Sequence, residues 1–522
     1  MSTSTAERAQ GMGAVEPARR TLAGGAAALA GLATAEVAGL LIPGSPSPTT
    51  AIAGRIIELT PDGLREALIG AVGTADKPLL VLGIALTVII SGALAGFFVR
   101  PERVPAVFAV AGALTWAFAY TGNTDDALGL ALVLVAGVLV GSLTWNRLVR
   151  GAAIPRASSS ASAPGGLDRR TFLQLTAVVA TAGAIGIGVA TVVRRSGSAA
   201  IDAVRSALTL PKPTDPAPSL PAGIDPPVPG IAPAITPNAD FYQIDTALVT
   251  PSVEVDGWAL RIDGRVATPL TLSYADLLAM PSIERYVALT CVSNEVGGDL
   301  VGTAKWQGVP LADVLKKVGV NADATALVGE SIDGFTAGFP LSVLDDGRDA
   351  MIAYAMNDEP LPVKHGFPAR LVVPGLYGYV SATKWLTAIR LTTLEETVPF
   401  WLQRGWAADG TIEIASRIDV PRASTRIDGG TVAIGGRAWH QHRGVKAVQV
   451  RVDGGAWEDA VLAAGMGTDA WRLWSWQWQA TAGDHRLEVR AQSLDGAWQT
   501  EAVRPIFPGA SSGLHAIDVS VG

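Results

Sequence analysis

The 522-residue sequence predicts a multi-domain chain: a five-helix transmembrane anchor, an α+β unit, and a C-terminal all-β sandwich of immunoglobulin-like type. Three observations predict it. Five apolar runs (22–42, 79–99, 104–121, 127–145 and 172–193) lie before residue 195, each about the roughly 20 residues that cross a bilayer core. From Asn238 onward, short alternating strands mix with short helices. After Pro399 the pattern is nearly all alternating strands separated by Asp-Gly turns.

Composition bounds what the chain does. Hydrophobic residues make up 49% and charged residues 17%, which leans towards a membrane protein. A formal charge of −7 argues against a nucleic-acid partner. One cysteine excludes an internal disulfide, a cysteine-rich zinc site and a four-cysteine iron–sulfur cluster.

The order of charges around the apolar runs sets the orientation. Arg19 and Arg20 precede the first run, Arg100 and Arg103 fill the turn between the second and third, and Arg147, Arg150, Arg156, Arg169 and Arg170 lie between the fourth and fifth. The opposite turn carries Asp125 and Asp126 and no cation. The positive-inside rule then puts the N-terminus in the cytoplasm and everything beyond Val193 outside. The loop 43–77 would also be outside, with a helical stretch at 61–72. Gly92/Gly96 and Gly137/Gly141 have helix-packing spacing. Glu36 inside the first span is read as structural, paired within the bundle. All five histidines lie outside these spans, so the bundle reads as an anchor rather than a haem carrier.

Asp168-Arg169-Arg170-Thr171-Phe172-Leu173-Gln174 stands before the fifth run and resembles a twin-arginine export motif. The plainer alternative is two arginines obeying the positive-inside rule. No small-residue cleavage site follows, so the segment is expected to stay as anchor (1–195). The stretch 152–167 reads as a cytoplasmic linker, and the proline-rich 196–237 as a stiff, extended spacer. In the outer region, Tyr274–Ala279 and Leu311–Val318 read as helices, the second with Leu311, Val314, Leu315 and Val318 on one face. Val448, Val450 and Val452 alternate before an Asp453-Gly454-Gly455 hairpin turn. Trp474, Trp476 and Trp478 alternate next and read as core packing of a sandwich.

The lone cysteine sits in Leu289-Thr290-Cys291-Val292-Ser293-Asn294-Glu295-Val296-Gly297-Gly298, at the end of an alternating strand and before a polar, glycine-rich loop. On the residue alone it is either a small buried hydrophobe or a soft ligand to one metal ion.

Several long stretches, in order, resemble the sulfite oxidase family of molybdopterin-dependent oxidoreductases over residues 238–510. They are Asn238-Ala239-Asp240-Phe241-Tyr242, the Cys291 stretch, Ala304-Lys305-Trp306-Gln307-Gly308-Val309-Pro310-Leu311, Glu359-Pro360-Leu361-Pro362 with His365-Gly366-Phe367-Pro368-Ala369-Arg370, and Val373-Pro374-Gly375 through Lys384-Trp385. The resemblance implies a Mo-molybdopterin-binding catalytic domain (238–397) and an immunoglobulin-like dimerisation domain (398–522), hence a homodimer unless the anchor prevents it. It implies Cys291 as the thiolate ligand to molybdenum. It implies Asn238, Tyr242, Gln243, Ser331, His365, Arg370, Ala382, Thr383 and Lys384 as the cofactor-binding set. A pterin phosphate favours guanidinium and ammonium donors, which suits Arg370 and Lys384.

The departures bear on substrate. Sulfite-oxidising members place an arginine shortly after the cysteine, where this chain has Asn294-Glu295-Val296, and another in the segment matching Tyr242–Asp245, where none occurs. A pocket tyrosine aligns with Trp406 in Gln403-Arg404-Gly405-Trp406, which makes Trp406 and Arg404 candidate catalytic residues beside Cys291. An acidic Glu295 facing a dianion would cost roughly 4 kcal/mol per charge pair at about 4 Å, unless Arg404 or Arg443 compensates. The expectation is a cell-membrane, multi-pass enzyme with its catalytic domain outside. It would transfer an oxygen atom, or two electrons, on a small substrate other than sulfite. The reverse reaction, reduction of sulfoxides or N-oxides, stays open, as does a non-enzymatic membrane protein with a degenerate cofactor domain. No Cys-x-x-Cys-His haem site occurs. Electrons would therefore pass to or from a separate redox partner, a cytochrome or a quinone-linked protein.

Overall fold

The computed structural model describes residues 17–42, 47–60, 76–120, 127–150, 169–247 and 249–522. The chain divides into two units, Met1–Ala199 with Ala247–Val249, and Ala200–Thr246 with Thr250–Gly522. The expected helical stretch 61–72 and linker 152–167 lie outside the described residues.

The first unit holds α1 (Pro17–Leu41), α2 (Pro48–Leu59), α3 (Asp76–Phe98), α4 (Val104–Tyr120) and α5 (Ala127–Arg150), and α6 (Arg169–Ala207) begins in it. Five of these six, all but α2, are long and apolar enough to cross a membrane. The glycine spacing read from the sequence is the packing device. A Cβ on Gly24 of α1 would lie 2.1 Å from the Gly92 carbonyl of α3, and one on Gly31 would lie 2.7 Å from the Gly137 carbonyl of α5. Bare backbones therefore approach to contact on both sides of α1. Glu36 is buried and structural. Its carboxylate accepts from the hydroxyls of Ser47 (2.7 and 2.8 Å) and Thr49 (2.7 Å) and from the Thr49 amide (3.1 Å). It thus serves the N-terminus of α2, a helix that the sequence pattern did not single out.

Two sheets, one mixed and one antiparallel, build the first part of the second unit. One orders β2 (Leu270–Ser273), β1 (Ala259–Gly264), β10 (Leu386–Thr392), β5 (Ala326–Ser331) and β6 (Thr336–Pro340). The other orders β3 (Ile283–Thr290), β4 (Val301–Pro310), β7 (Met351–Met356) and β8 (Glu359–Pro360), with β9 (Arg370–Val372) paired to β7. The short α7 (Tyr274–Ala279) starts in a capping box: the Ser273 hydroxyl accepts from the Asp276 amide (3.1 Å) and the Asp276 carboxylate from the Ser273 amide (3.0 Å). On α8 (Leu311–Val318), Leu311, Val314 and Val318 are buried, each contributing on the order of 1.5–3 kcal/mol.

The last part is a β-sandwich. A four-stranded sheet contains Ala415–Val420, Gly430–Trp439 and Arg472–Ala480, and a five-stranded sheet contains Val445–Val452, Gly483–Ser493 and His515–Val521. Trp474, Trp476 and Trp478 are buried between them with Val448, Val450, Leu487 and Val489, so the tryptophan ladder is core.

The proline-rich stretch differs from a free spacer. Residues up to Ala207 continue α6, and the rest lies on the second unit. The Thr214 amide donates to the Ser282 carbonyl (2.8 Å), and Asp215 bridges in parallel to Ile283. Proline forbids a central strand but suits such an edge, where few amides are needed.

Candidate active site

Cys291 sits where the sequence pattern predicts, one residue past β3 and 8% exposed. The chain turns back at once. The Asn294 amide donates to the Cys291 carbonyl (3.1 Å), the Asn294 Oδ1 accepts from the Leu300 amide (2.8 Å), and the Cys291 amide donates to the Leu300 carbonyl (2.9 Å). Asn294 thereby closes the loop that returns the chain into β4. Burial pushes the Cys291 thiol up, while hydrogen bonds from Ser293 and the Lys384 charge pull it down.

Around this thiol the fold gathers residues from distant segments. Phe241 packs edge-on against Trp306 (5.8 Å) and His365 (5.6 Å), over Gly302, where a Cβ would lie 2.8 Å from its ring. The neighbouring Tyr242 phenol is raised far above its ordinary value by burial, then by the Cys291 charge, against a lowering by Arg370. It therefore remains a hydroxyl donor.

His365 is fully buried, and its Nε2 lies 3.0 Å from the Asn238 carbonyl. A carbonyl only accepts, so Nε2 carries the proton and Nδ1 is left as an acceptor, buried without a partner. Desolvation first, then the Lys384, Arg370 and Lys364 charges, hold its pKa at about 3 against the Asn238 bond. Asn238 itself acts through this carbonyl. Its side chain is taken by Asn357 (2.8 Å), Glu359 (2.5 Å) and the Met356 carbonyl (3.1 Å).

Arg370, at the start of β9, is 3% exposed. Its guanidinium reaches only backbone carbonyls, those of His365 (3.1 Å), Ala382 (3.4 Å) and Leu371 (3.4 Å), and lies 5.1 Å from the centre of the Trp306 ring. Among the described residues no carboxylate pairs with it, and desolvation holds its pKa at about 10. Lys384 differs: its ammonium meets the Asp245 carboxylate at 3.1 Å, and Gln243 Nε2 donates to the same oxygen at 3.1 Å. Thr383 lies on Gly329, and the Ser331 hydroxyl, at the end of β5, is buried without a partner.

Trp406 is 7% exposed, with its indole N–H unpartnered, inside a cage of Trp401 (5.8 Å), Tyr379 (5.7 Å) and Phe507 (5.5 Å). No hydrogen bond or ring contact among the described residues joins this cage to Cys291 directly. Arg404 lies on the Phe400 ring (3.5 Å) and donates to the Phe400 carbonyl. Arg443 pairs with Asp495 (3.3 Å). Glu295 is exposed and lines a narrow cleft with Asn294, Glu413, Gln499 and Ser512. The acidic group beside the cation that acts on Cys291 is Asp245, which the sequence pattern did not single out.

The C-terminal sandwich also reaches the site. Gln441 Nε2 donates to the Thr290 hydroxyl at 2.8 Å, the Ser511 hydroxyl to the Asn294 carbonyl at 2.7 Å, and Arg417 to the Gly298 carbonyl. None of these three carries a sequence signal of its own.

Among the described residues, a single buried thiol, a guanidinium with which no carboxylate pairs, and buried unpartnered acceptors and hydroxyls form a set that could hold an anionic cofactor bringing a soft metal. Comparison with known proteins agrees. The family described as oxidoreductase molybdopterin binding domain matches residues 247–401, and the bacterial Ig domain family matches 415–489. Mitochondrial sulfite oxidase of Macaca fascicularis is 31% identical over 322 residues, covering 52% of this chain and 58% of that protein. The uncharacterized oxidoreductase YuiH of Bacillus subtilis is 35% identical over 175 residues, covering 33% of this chain and 84% of that protein. Among solved structures, the sulfane dehydrogenase SoxCD from Paracoccus pantotrophus matches with a TM-score of 0.49 and 24% identity, over 56% of this chain and 82% of that one. The chain belongs to the sulfite oxidase family of molybdopterin-dependent oxidoreductases. It spans 58% of the length of the mitochondrial sulfite oxidase it matches. The family implies a molybdopterin cofactor, and the donor set is of a kind that could hold it: Cys291 could take the metal, Arg370 the phosphate, and His365 Nδ1 and Ser331 polar edges of the pterin.

Proposed function

We propose that this protein is a membrane-anchored molybdoenzyme that transfers an oxygen atom, or two electrons with protons, on a small substrate other than sulfite. The observations that carry the reading are one buried thiol, Cys291, and one buried guanidinium, Arg370, with which no carboxylate pairs among the described residues. Leaving a charge so buried costs several kcal/mol unless an anion completes it, and a cofactor phosphate does so. When bound, the cofactor supplies the metal that changes oxidation state by two electrons.

The chain's own residues do the rest. Cys291, held by the Asn294-closed loop, presents its sulfur at a fixed point. His365 keeps its proton on Nε2 and offers Nδ1 as an acceptor. Tyr242 stays protonated and offers a donor beside Cys291, and the Trp406 indole offers another at the aromatic cage. Electrons pass to or from a separate redox partner, because the five histidines lie outside the apolar helices and form no paired set within them.

The five apolar helices and the arginine pattern support anchoring with the catalytic unit outside the cytoplasm. Arg169-Arg170-Thr171-Phe172-Leu173 at the start of α6 supports export of the folded, cofactor-loaded unit by a twin-arginine route, with α6 retained. Two arginines of sulfite-oxidising members are missing from the matching stretches, and the contacts of Arg404 with Phe400 and of Arg443 with Asp495 support a substrate other than sulfite. Metal and pterin analysis of the purified protein, with steady-state assays on sulfite, sulfoxides and N-oxides, tests the reading. Absence of molybdenum in protein from a competent host would refute it, and sulfite turnover at ordinary enzymatic rates would refute its substrate clause.

A further inference from the structure

We propose that Arg205, in the last turn of α6, is a positioning residue for the cofactor site: through Glu359 and Asn238 it fixes the imidazole of His365 with its proton on Nε2 and leaves Nδ1 for a ligand. The inference rests on the reading that His365 serves the cofactor. It adds a residue that lies before the region matched by the molybdopterin-binding family.

The contacts form one unbroken path within the second unit. α6 runs to Ala207, beyond the apolar stretch that ends at Val192. In its last turn the Arg205 side chain is 12% exposed. Its Nε meets Asp202 Oδ1 one turn back (3.0 Å), which sets the guanidinium. Its Nη1 donates to the Pro360 carbonyl (2.7 Å) and to Glu359 Oε2 (3.5 Å). Both acceptors belong to β8, the return strand of a tight hairpin whose turn residues, Asn357 and Asp358, both have positive φ (50° and 67°).

The other carboxylate oxygen, Glu359 Oε1, takes one amide hydrogen of Asn238 (2.5 Å), and the Met356 carbonyl takes the second (3.1 Å). Asn357 donates to the Asn238 Oδ1 (2.8 Å) and is itself pinned to β4, where the Lys305 amide donates to it (2.9 Å). With its side chain tied at three points, Asn238 has its carbonyl fixed in direction. That carbonyl accepts from His365 Nε2 (3.0 Å), and the His365 carbonyl accepts from Arg370 (3.1 Å). The soft link in this path is Glu359, whose side chain is 45% exposed. Without a cation beside it, the carboxylate would exchange Asn238 for water. The ion pair alone is weak, so the charged bond to the Pro360 carbonyl carries most of the hold.

Histidine labelled with nitrogen-15 in the full-length, cofactor-free protein reads the ring directly. Protonated and bare ring nitrogens resonate far apart, and the His365 signals are those missing from His365→Gln. Wild type is expected to show the Nε2–H form alone. Arg205→Ala and Glu359→Ala are expected to populate the Nδ1–H form to roughly a tenth, as partial loss of one hydrogen bond predicts. Arg205→Lys keeps a donor for the Pro360 carbonyl and Glu359→Gln an acceptor for Asn238, so both should restore the single form, which general loosening of the fold would not allow. An unchanged ring in Arg205→Ala overturns the proposal, as does a mixed ring in Arg205→Lys. Should Arg205→Ala fail to fold, Arg205→Gln, which removes the charge and keeps a good helix former, takes its place. In the loaded protein, Arg205→Ala should release pterin about threefold faster, the lower range for one hydrogen bond, and unchanged release counts against the proposal. Because the ring is read without cofactor, absence of molybdenum would sink the functional reading and leave this result standing.

Discussion

Gln441 of the C-terminal sandwich hydrogen-bonds Thr290, the residue that immediately precedes Cys291, at 2.8 Å, and both side chains are 2% exposed. The loop that carries Cys291 is therefore held from the C-terminal sandwich. Gln441→Ala leaves the Thr290 hydroxyl short of a donor and should cost about 1–2 kcal/mol. A lowered urea midpoint with an unchanged slope checks this, and faster alkylation of Cys291 should accompany it.

Cys291→Ala should abolish turnover. Retention of pterin is expected, because Arg370, His365 and Ser331 are untouched, so released pterin should stay near the wild-type amount while activity is lost. Loss of both together would assign Cys291 a folding role instead.

Arg370→Met removes a guanidinium that only carbonyls and an indole face surround. Its expected effect is at least a tenfold loss of pterin retention, or about 1.4 kcal/mol, in line with one charge-assisted contact. Cofactor-free protein should lose much less, since an uncompensated buried charge is itself destabilising. Melting temperatures of loaded and cofactor-free forms separate the two effects.

The pH dependence of cofactor-free stability should carry a His365 signature. Its folded pKa lies near 3 against an ordinary 6.5. Between those values the unfolded chain binds the proton that the folded chain refuses. Stability is therefore fully present above about pH 6.5 and falls as the solution is acidified towards pH 3. From pH 6.5 to 5 the loss should be about 2 kcal/mol. His440 and His515, also depressed by burial, act in the same direction. His365→Gln should flatten the profile by its own share, and an unchanged profile would contradict the assignment.

Among the apolar helices, Gly24→Ala places a methyl 2.1 Å from the Gly92 carbonyl, a distance that backbone alone must relieve. Lower thermal stability in detergent is expected. Gly83→Ala, which meets nothing within 4 Å, is the matched control.

Much of the fold was legible because periodicity and burial agree locally. Tyr274–Ala279 and Leu311–Val318 begin and end where the pattern places them. Trp474, Trp476 and Trp478 alternate because one sheet face is core. Gly92 and Gly137 have spacing that only close helix approach requires. The presence of a molybdopterin-binding domain was legible through the ordered family motifs. What escaped was tertiary in origin. Asp245 has meaning only once Lys384, 139 residues on, folds against it, and Gln441 only once the sandwich docks on Thr290. Glu295 drew attention by proximity in sequence, but the Asn294-closed loop turns it towards Glu413 and Gln499.

The proline-rich stretch has a practical consequence for making a soluble form of the enzyme. The Pro211 carbonyl accepts from Gln307, Asp215 pairs with Arg285 (2.6 Å), and the Ala232 and Ala234 carbonyls accept from Arg437 (3.1 Å) and Trp471 (2.6 Å). A version trimmed back to Asn238, where the family motifs begin, would strip acceptors from a buried amide, two guanidinium groups and an indole in one cut. Cleavage should instead be placed near residue 200, so that the strap that staples the edge of β3 and the outer face of the four-stranded sheet travels with the catalytic unit.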